Sequence, residues 1–423
     1  MDVHQPLPLL AGLSPAQFMR RHWQKKPLLV RQAMPGYQPF LGRTALCRLA
    51  AQEPVESRLI VQDGPNWHMK KGPFSPKSLP PLARPGWTLL VQGVDLHDPA
   101  GHALLQQFRF VPDARMDDLM VSFATPGGGV GPHFDSYDVF LFQASGRRRW
   151  KISKQKDLSL QPDVPLKILQ NFEADEEFVL EAGDMLYLPP RYAHDGLAEA
   201  SIGLDGKPSD CLTYSIGFRC PAEDELAPDL LHRLAEMGED AAQSREEEGG
   251  VRAVPRRMYR DPAQPATDTP AALPAGLVAF AQQAVLDALK DPLALGCALG
   301  ESLSEPKPGI WFDEPESAWD ADAAKAGRTS VALDARTRML YDADHIFING
   351  ESYRARGADA ALMQRLANQR HLVASELRKA GKSAVALLGD WHDAGWLRQD
   401  PACFPLNTAL QKPVVLAECR KRP

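Results

Sequence analysis

The chain has 423 residues, of which 44% are hydrophobic and 24% are charged, and its formal net charge is −6. This length exceeds a single ordinary core, so we expect two or three domains. The mildly acidic composition excludes a general nucleic-acid binder, whose surface would be basic. The sequence has no signal pattern and no apolar run that would span a bilayer, so we expect a cytoplasmic protein without membrane contact. The six scattered cysteines are typical of free thiols in a reducing compartment.

The first 110 residues predict short helices and strands. Ser14 is suited to a helix N-cap, and Pro15 to the first helical position. The stretch 67–85, which carries five prolines, is predicted to be a loop. Further helices are predicted at 44–52 and 99–110, and strands at 25–31, 57–61 and 87–92.

Residues with metal-binding chemistry follow a predicted strand at 116–124. A glycine-rich loop, 125–131, leads into His133 and Asp135, which share one face if the backbone there is a β-strand. A third candidate ligand, His194, lies about sixty residues further on. Two imidazoles and one carboxylate form the facial triad that leaves open positions on a non-haem Fe(II). An isolated His-x-Asp is more often a surface pair, so the interpretation depends on the glycine loop and the distant histidine.

The predicted hairpin 137–152 contains a cation that we expect to be buried. Strand alternation places Arg148 on the same face as the apolar Trp150 and Ile152, and Arg149 on the opposite face. A buried guanidinium needs a partner. A carboxylate of a bound ligand would pair with it in bidentate fashion. An internal ion pair with an Asp or Glu of the barrel is the alternative.

A second predicted hairpin, 178–190, turns at Gly183 and Asp184 and ends at two prolines, after which His194 follows. A closing strand is predicted at 211–219. Beyond it the hydrophobic spacing becomes helical. Later predicted helices lie at 226–237, 275–290, 358–370 and 383–394, and later strands at 329–333, 338–341 and 345–349.

The segments around His133 and His194 resemble the JmjC branch of the cupin superfamily, the 2-oxoglutarate-dependent oxygenases. The run Gly131–Phe140, continued by Gly146–Trp150, is specifically similar to the bacterial ribosomal oxygenases. Those enzymes hydroxylate an arginine of a large-subunit ribosomal protein. The close resemblance covers residues 10–220, and a weaker one extends to the C-terminus.

The resemblance implies an α+β fold, namely the double-stranded β-helix or jelly-roll barrel of the cupins with flanking helices. It implies a JmjC oxygenase domain over 1–220, with its barrel core at about 95–220. A helical dimerisation region over 221–295 and a winged-helix-like domain over 296–423 would follow. From the residues alone, the middle helices could equally cover the barrel within one subunit. No helix concentrates Lys and Arg, so we expect no direct DNA binding.

The resemblance also implies a 2-oxoglutarate- and Fe(II)-dependent protein hydroxylase with O₂ as the second cosubstrate. In it, His133, Asp135 and His194 would hold the iron, and Arg148 would hold the far carboxylate of the oxo acid. Ser122 is a further candidate contact to the oxo acid.

A target arginine would need an acidic or aromatic receptor, because a carboxylate pairs with a guanidinium and a phenol ring stacks on it. Asp118 and Tyr137 are the candidates, and both could instead be structural. Two other functions stay open. One is a JmjC hydroxylase of histidine or a lysine demethylase, and the other is a non-catalytic cupin scaffold.

Overall fold

The computed structural model describes residues 2–203, 206–247, 258–262, 265, 271 and 273–401. Its backbone forms two compact units, Met1–Glu239 and Asp240–Pro423. Most of the proline-rich stretch 255–274, together with Cys403 and Cys419, lies outside the described residues. The cysteines that are described are all free thiols.

The first unit contains the elements that build the candidate site. Its helices are α1 (Pro15–Arg21), α2 (Arg43–Leu49), α3 (Pro99–Gln106) and α4 (Glu223–Glu247), the last of which continues past Glu239. Its strands are β1 (Leu28–Val30), β2 (Ser57–Asp63), β3 (Asn66–Lys71), β4 (Trp87–Val91), β5 (Met116–Ala124), β6 (Asp138–Ser145), β7 (Arg147–Ser153), β8 (Glu176–Glu181), β9 (Met185–Leu188), β10 (Ala193–Glu199) and β11 (Cys211–Phe218).

These strands form two antiparallel sheets. The large sheet has the order β1-β9-β6-β11-β5-β4-β2-β3, and the small sheet has the order β10-β7-β8. The chain crosses between the sheets several times, as a jelly roll requires. This arrangement confirms the predicted double-stranded β-helix.

The two faces of the large sheet have different compositions because successive side chains alternate across a strand. One face packs on the N-terminal helices through an aromatic core that includes Phe18, Phe140 and Tyr187. The other face packs against the small sheet through Val139 and Trp150, and the two sides of the sheets that face each other are here called the inner face. The inner face carries buried polar side chains as well as apolar ones, and the candidate site lies there.

Helix α1 begins as the sequence predicts. The Ser14 hydroxyl accepts from the backbone of Gln17, and the Gln17 side chain accepts from the backbone of Ser14. This reciprocal capping box satisfies two backbone donors that the first helical turn leaves without partners.

The prediction of a loop over 67–85 was wrong at its start, since Asn66–Lys71 forms β3 and pairs with β2. This strand lies at the edge of the large sheet, and its exposed lysines hide the apolar alternation that identifies a strand. His194 follows the end of the second hairpin strand at Pro189 and Pro190, as the sequence predicts, and it lies in a further strand, β10.

The second unit is a separate α+β body with its own hydrophobic core. Its helices are α5 (Ala275–Ala288), α6 (Pro292–Ser304), α7 (Ala321–Ala326), α8 (Gly357–Gln369), α9 (Ala374–Leu377) and α10 (Lys382–Asp393). Its strands are β12 (Thr329–Leu333), β13 (Met339–Tyr341), β14 (His345–Ile348), β15 (Glu351–Arg354), β16 (His371–Leu372) and β17 (Leu397–Pro401). Within the described part of the chain, we find no helix with both the length and the apolar character needed to cross a bilayer.

Candidate active site

Three side chains at one end of the barrel converge with metal-binding geometry. His133, Asp135 and His194 each place one ligand atom within 4.8 Å of the other two. His194 Nε2 lies 3.6 Å from Asp135 Oδ2, and the two imidazole centroids are 4.2 Å apart. Two imidazoles and a carboxylate at this spacing are the donor set of a non-haem iron site.

The backbone of β10 fixes the relation between the two histidines. His133 and His194 are paired in an antiparallel bridge and exchange both backbone hydrogen bonds, at 2.9 and 2.8 Å. The prediction assumed a regular strand through His133 and Asp135. Instead, His133 lies in this single bridge, and Asp135 lies outside any strand.

Backbone carbonyls select the tautomer of both imidazoles. Nδ1 of His133 lies 2.8 Å from the carbonyl oxygen of Gly131, and Nδ1 of His194 lies 2.9 Å from that of Tyr192. A carbonyl oxygen only accepts, so each Nδ1 carries the proton and each Nε2 is left as the metal-binding atom. The sequence left open whether Asp195 orients His194. The Tyr192 carbonyl has that role.

Burial keeps one ligand neutral. Desolvation lowers the pKa of the His194 imidazole to about 4, and the neighbouring His133 adds to the shift while Asp135 opposes it. His194 is therefore deprotonated at neutral pH, which is the form that binds a metal.

The glycines of the loop before His133 allow close packing around the ligands. A Cβ at Gly129 would lie 2.6 Å from the carbonyl oxygen of Gly196 in β10. Gly131 has φ +78°, and a Cβ there would lie 2.5 Å from Ile168 Cδ1. A larger residue at either position would push the ligand segment away from its neighbours.

The second motif hairpin positions the other side of the site. The Asp184 carboxylate accepts hydrogen bonds from the Arg31 side chain and from the backbone of Gln32 and Glu181, which holds the turn. Beyond it, Arg191 adopts φ +62°, a left-handed conformation that is rare for a residue with a side chain. Its backbone N–H donates to the Asp135 carbonyl at 2.7 Å, so this turn ties β9 to the ligand segment.

Arg148 lies on the inner face, as alternation predicts. It is 4% exposed, yet its Nε and Nη2 atoms are buried without a hydrogen-bond partner among the described residues. No carboxylate in the described part of the chain forms an ion pair with it, which argues against the alternative of an internal salt bridge. A buried guanidinium without a counter-ion costs free energy unless a ligand supplies the charge. The pair of this cation and the His-Asp-His set fits an iron ion with a dicarboxylate such as 2-oxoglutarate.

Ser122 also lies on the inner face and is buried. Its hydroxyl donates to the backbone carbonyl of Thr213 at 3.3 Å. A contact from this hydroxyl to a carboxylate would have to replace that bond, because a hydroxyl has one proton to donate.

The two candidate receptors for a substrate side chain lie close to the metal ligands. Burial raises the pKa of Tyr137 well above its usual range, and nearby Asp135 and Asp118 add to the shift. Asp118 is 2% exposed, and its Oδ2 accepts from Gln92 Nε2 at 2.8 Å and from the Gly93 backbone at 3.0 Å.

Several residues that shape the site were not predicted from the sequence. Gly196 packs directly on the Trp150 ring, where a Cβ would approach the indole to within 2.5 Å. Gln92 donates a hydrogen bond to Asp118, and Arg58 donates one to Gln92. Gly196 follows the candidate ligand His194 by two positions, which only weakly indicates a role in the site. The other two come from strands far from the motifs, so no local pattern could identify them.

Comparisons with known proteins agree on one family. The JmjC domain family matches residues 103–226, and the ROXA-like winged helix family matches residues 287–398. The chain is 33% identical to the ribosomal protein uL16 3-hydroxylase of Escherichia coli (strain K12) over 340 residues, which are 79% of this chain and 84% of that protein. It is 37% identical to a probable ribosomal oxygenase of Haemophilus influenzae over 213 residues, covering 49% of this chain and 50% of the relative.

A solved structure extends the likeness to the whole fold. The structure of the E. coli ribosomal oxygenase YcfD in complex with cobalt and 2-oxoglutarate matches with a TM-score of 0.72 and 29% identity. The match covers 92% of this chain and 98% of the YcfD chain. The winged helix expected at the C-terminus is thereby confirmed as part of the fold.

Proposed function

Because this chain belongs to the family of JmjC-domain ribosomal oxygenases that includes the E. coli uL16 3-hydroxylase, we propose that it hydroxylates an arginine side chain of the large-subunit ribosomal protein uL16. The reaction is that of a 2-oxoglutarate-dependent dioxygenase, with Fe(II) as the metal and O₂ as the second cosubstrate. We place the enzyme in the cytoplasm, where a ribosomal protein is available to it.

The observation that carries this proposal is the unpartnered guanidinium of Arg148 on the same small sheet as His194. His133, Asp135 and His194 would hold the iron, and Arg148 would hold the far carboxylate of the oxo acid. The bound metal would activate O₂, the oxidant, with two electrons that the oxo acid gives up as it becomes succinate and CO₂, and so would allow hydroxylation of an unactivated C–H bond. The protein supplies a fixed donor set, a neutral His194 and a shielded cation.

Asp118 and Tyr137 are the residues that we propose receive the target side chain. Asp118 would offer a buried carboxylate to a guanidinium, and Tyr137, which both Asp118 and Asp135 influence electrostatically, would offer its ring. Ser122 would contact the oxo acid only by exchanging its bond to Thr213.

We also propose that the enzyme is a homodimer. Helix α5 is rich in apolar residues, and several of them are exposed in the single chain, including Val285 at 56% and Leu286 at 55%. Exposed apolar side chains concentrated on one helix mark a surface that another protein covers. We assign the winged helix no DNA-binding role, in keeping with the absence of a basic recognition helix in the sequence.

The test measures succinate formation from 2-oxoglutarate by the full chain with Fe(II), O₂ and ascorbate. Reactions with and without uL16 are compared, and the products are mapped by mass spectrometry. We expect uL16 to stimulate turnover and to gain one oxygen atom on an arginine. His133→Ala is the inactive control.

The other outcomes separate the alternatives. Turnover that uL16 does not stimulate would keep the oxygenase and reject the substrate. An oxygen gained on a histidine, or the loss of a methylene unit from a methylated lysine, would reassign the target. No turnover, together with no binding of Mn(II) under anaerobic conditions, would favour a non-catalytic scaffold.

A further inference from the structure

A short polar chain of Arg58, Gln92 and Asp118 crosses three neighbouring strands of the large sheet. Arg58 lies on β2, Gln92 directly follows β4, and Asp118 lies on β5. Strand alternation gives Arg58 and Asp118 the inner face, because Leu59 and Leu119 pack in the aromatic core on the opposite face.

The hydrogen bonds of this chain have one possible direction. Arg58 Nη2 donates to Gln92 Oε1 at 3.0 Å, and Gln92 Nε2 donates to Asp118 Oδ2 at 2.8 Å. A guanidinium can only donate and a carboxylate can only accept. The amide of Gln92 joins the two because it offers one group of each kind. Turning the amide over would set donor against donor and acceptor against acceptor.

A backbone N–H group is the second donor to the Asp118 carboxylate. Gly93 has φ +62°, and its N–H donates to the same Oδ2 atom of Asp118 at 3.0 Å. Two donors on one oxygen restrict rotation of the carboxylate about its Cβ–Cγ bond. This restriction matters for a planar guanidinium, whose hydrogen bonds to a carboxylate are strongly directional.

The polar chain adjoins the proposed substrate pocket. Arg58 acts electrostatically on Tyr137, where it opposes the effects of Asp135 and Asp118. Arg58 Nη2 also lies 3.9 Å from the sulfur of Met120, which lies between Asp118 and Ser122 on the inner face of β5. The Arg58 guanidinium is thus a resident cation beside the carboxylate proposed to receive the target.

We propose that Arg58 and Gln92 are positioning residues that hold the Asp118 carboxylate in the orientation that selects a guanidinium over a neutral side chain. This inference rests on the proposed arginine hydroxylase function. Arg58 orients the amide, the amide orients the carboxylate, and neither residue touches the reacting atoms.

The experiment compares two peptides that carry the target sequence of uL16, one with arginine and one with citrulline at the hydroxylated position. Citrulline has nearly the same shape but no charge, and the readout is the ratio of kcat/KM for the two peptides. This ratio does not depend on the fraction of enzyme that is folded. The full-length variants are Arg58→Met, Arg58→Lys, Gln92→Leu and Gln92→Glu, with Asp118→Ala as the reference.

Lys71→Met is the matched control, because Lys71 pairs with Arg58 across β2 and β3 and is exposed. It removes the same charge from the same sheet without touching the polar chain.

We expect the arginine preference to fall about tenfold in Arg58→Met and Gln92→Leu, the size typical of a residue that orients a binding group. Gln92→Glu should lose it as well, since an ionised carboxylate cannot donate to Asp118 and repels it. Arg58→Lys should recover part of the preference, and Lys71→Met should keep all of it.

A wild-type ratio in Arg58→Met, Gln92→Leu and Gln92→Glu, with a collapsed ratio in Asp118→Ala, would overturn this inference alone. Wild-type enzyme that hydroxylates neither peptide, or shows no preference for arginine, would overturn the proposed substrate and this inference together.

Discussion

Two neighbouring arginines on opposite faces of the small sheet differ in exposure and in their partners. On the outer face, Arg149 is 39% exposed and pairs with Glu177 and Glu199. On the inner face, Arg148 is 4% exposed and has no partner for two of its nitrogens among the described residues. On the outer face, the charge of Arg149 is balanced by the two glutamates. The inner cation has no such ion pair among the described residues, and the binding site that we propose lies on its face of the sheet.

The strongest test of this contrast removes a metal ligand from β10. His194→Ala should abolish Mn(II) binding, measured anaerobically by electron paramagnetic resonance, and should abolish succinate formation, because one of three protein ligands is lost. Glu199→Gln, on the outer face of the same strand, should retain both. Retained Mn(II) binding in His194→Ala would contradict the assignment of the metal site to the inner face.

The pH dependence of the metal-free protein sharpens the comparison. The folded pKa of His194 is about 4, while the unfolded imidazole titrates near 6.5. The unfolded state therefore binds more protons between these values, so stability is lost as the pH falls from about 6.5 to about 4. The loss from this residue is on the order of 3 kcal/mol. Urea unfolding in the presence of a chelator should show this slope in the wild type and a smaller slope in His194→Asn.

Equal slopes in the two proteins would mean that His194 is not kept neutral by burial.

A smaller effect is expected from packing on the inner face. In Gly196→Ala the new Cβ would lie 2.5–2.7 Å from the Trp150 ring, so the ring or the backbone of β10 must move. Overpacking of this kind costs about 1–3 kcal/mol. Thermal unfolding should show the loss, and the Mn(II) affinity should also weaken because His194 is two residues away. An unchanged melting temperature would show that the Trp150 ring has room to shift.

The smallest effect is expected on the outer face. Arg149→Met removes two exposed ion pairs, which contribute little in water. The melting temperature should change by less than about 2 °C, and the affinity for 2-oxoglutarate should stay as in the wild type. A substantial loss of 2-oxoglutarate affinity would show that the two faces are not independent.

The sequence predicted what depends on local periodicity. The inward orientation of Arg148 followed from strand alternation, because that period is a property of the backbone alone. Strand β3 was missed because an edge strand with exposed lysines carries no clear apolar pattern. His133 forms an isolated bridge and Asp135 lies outside any strand, and the bridge depends on β10, some sixty residues later.

The polar chain through Arg58 and Gln92 could not be predicted for a different reason. It exists only because β2, β4 and β5 are neighbours in the large sheet. Nothing in the local sequence indicates which strands will be adjacent, so such contacts need the three-dimensional structure.

The most direct test of the central claim is the behaviour of Arg148→Met, measured by titrating 2-oxoglutarate into the Mn(II)-loaded protein and by thermal unfolding of the ligand-free protein. We predict that 2-oxoglutarate affinity falls about 30-fold or more, since a buried charge partner is lost. The ligand-free protein should unfold at the wild-type temperature or above it, because an uncompensated buried charge is removed. Unchanged affinity together with a lower melting temperature would contradict the account and make Arg148 a structural residue.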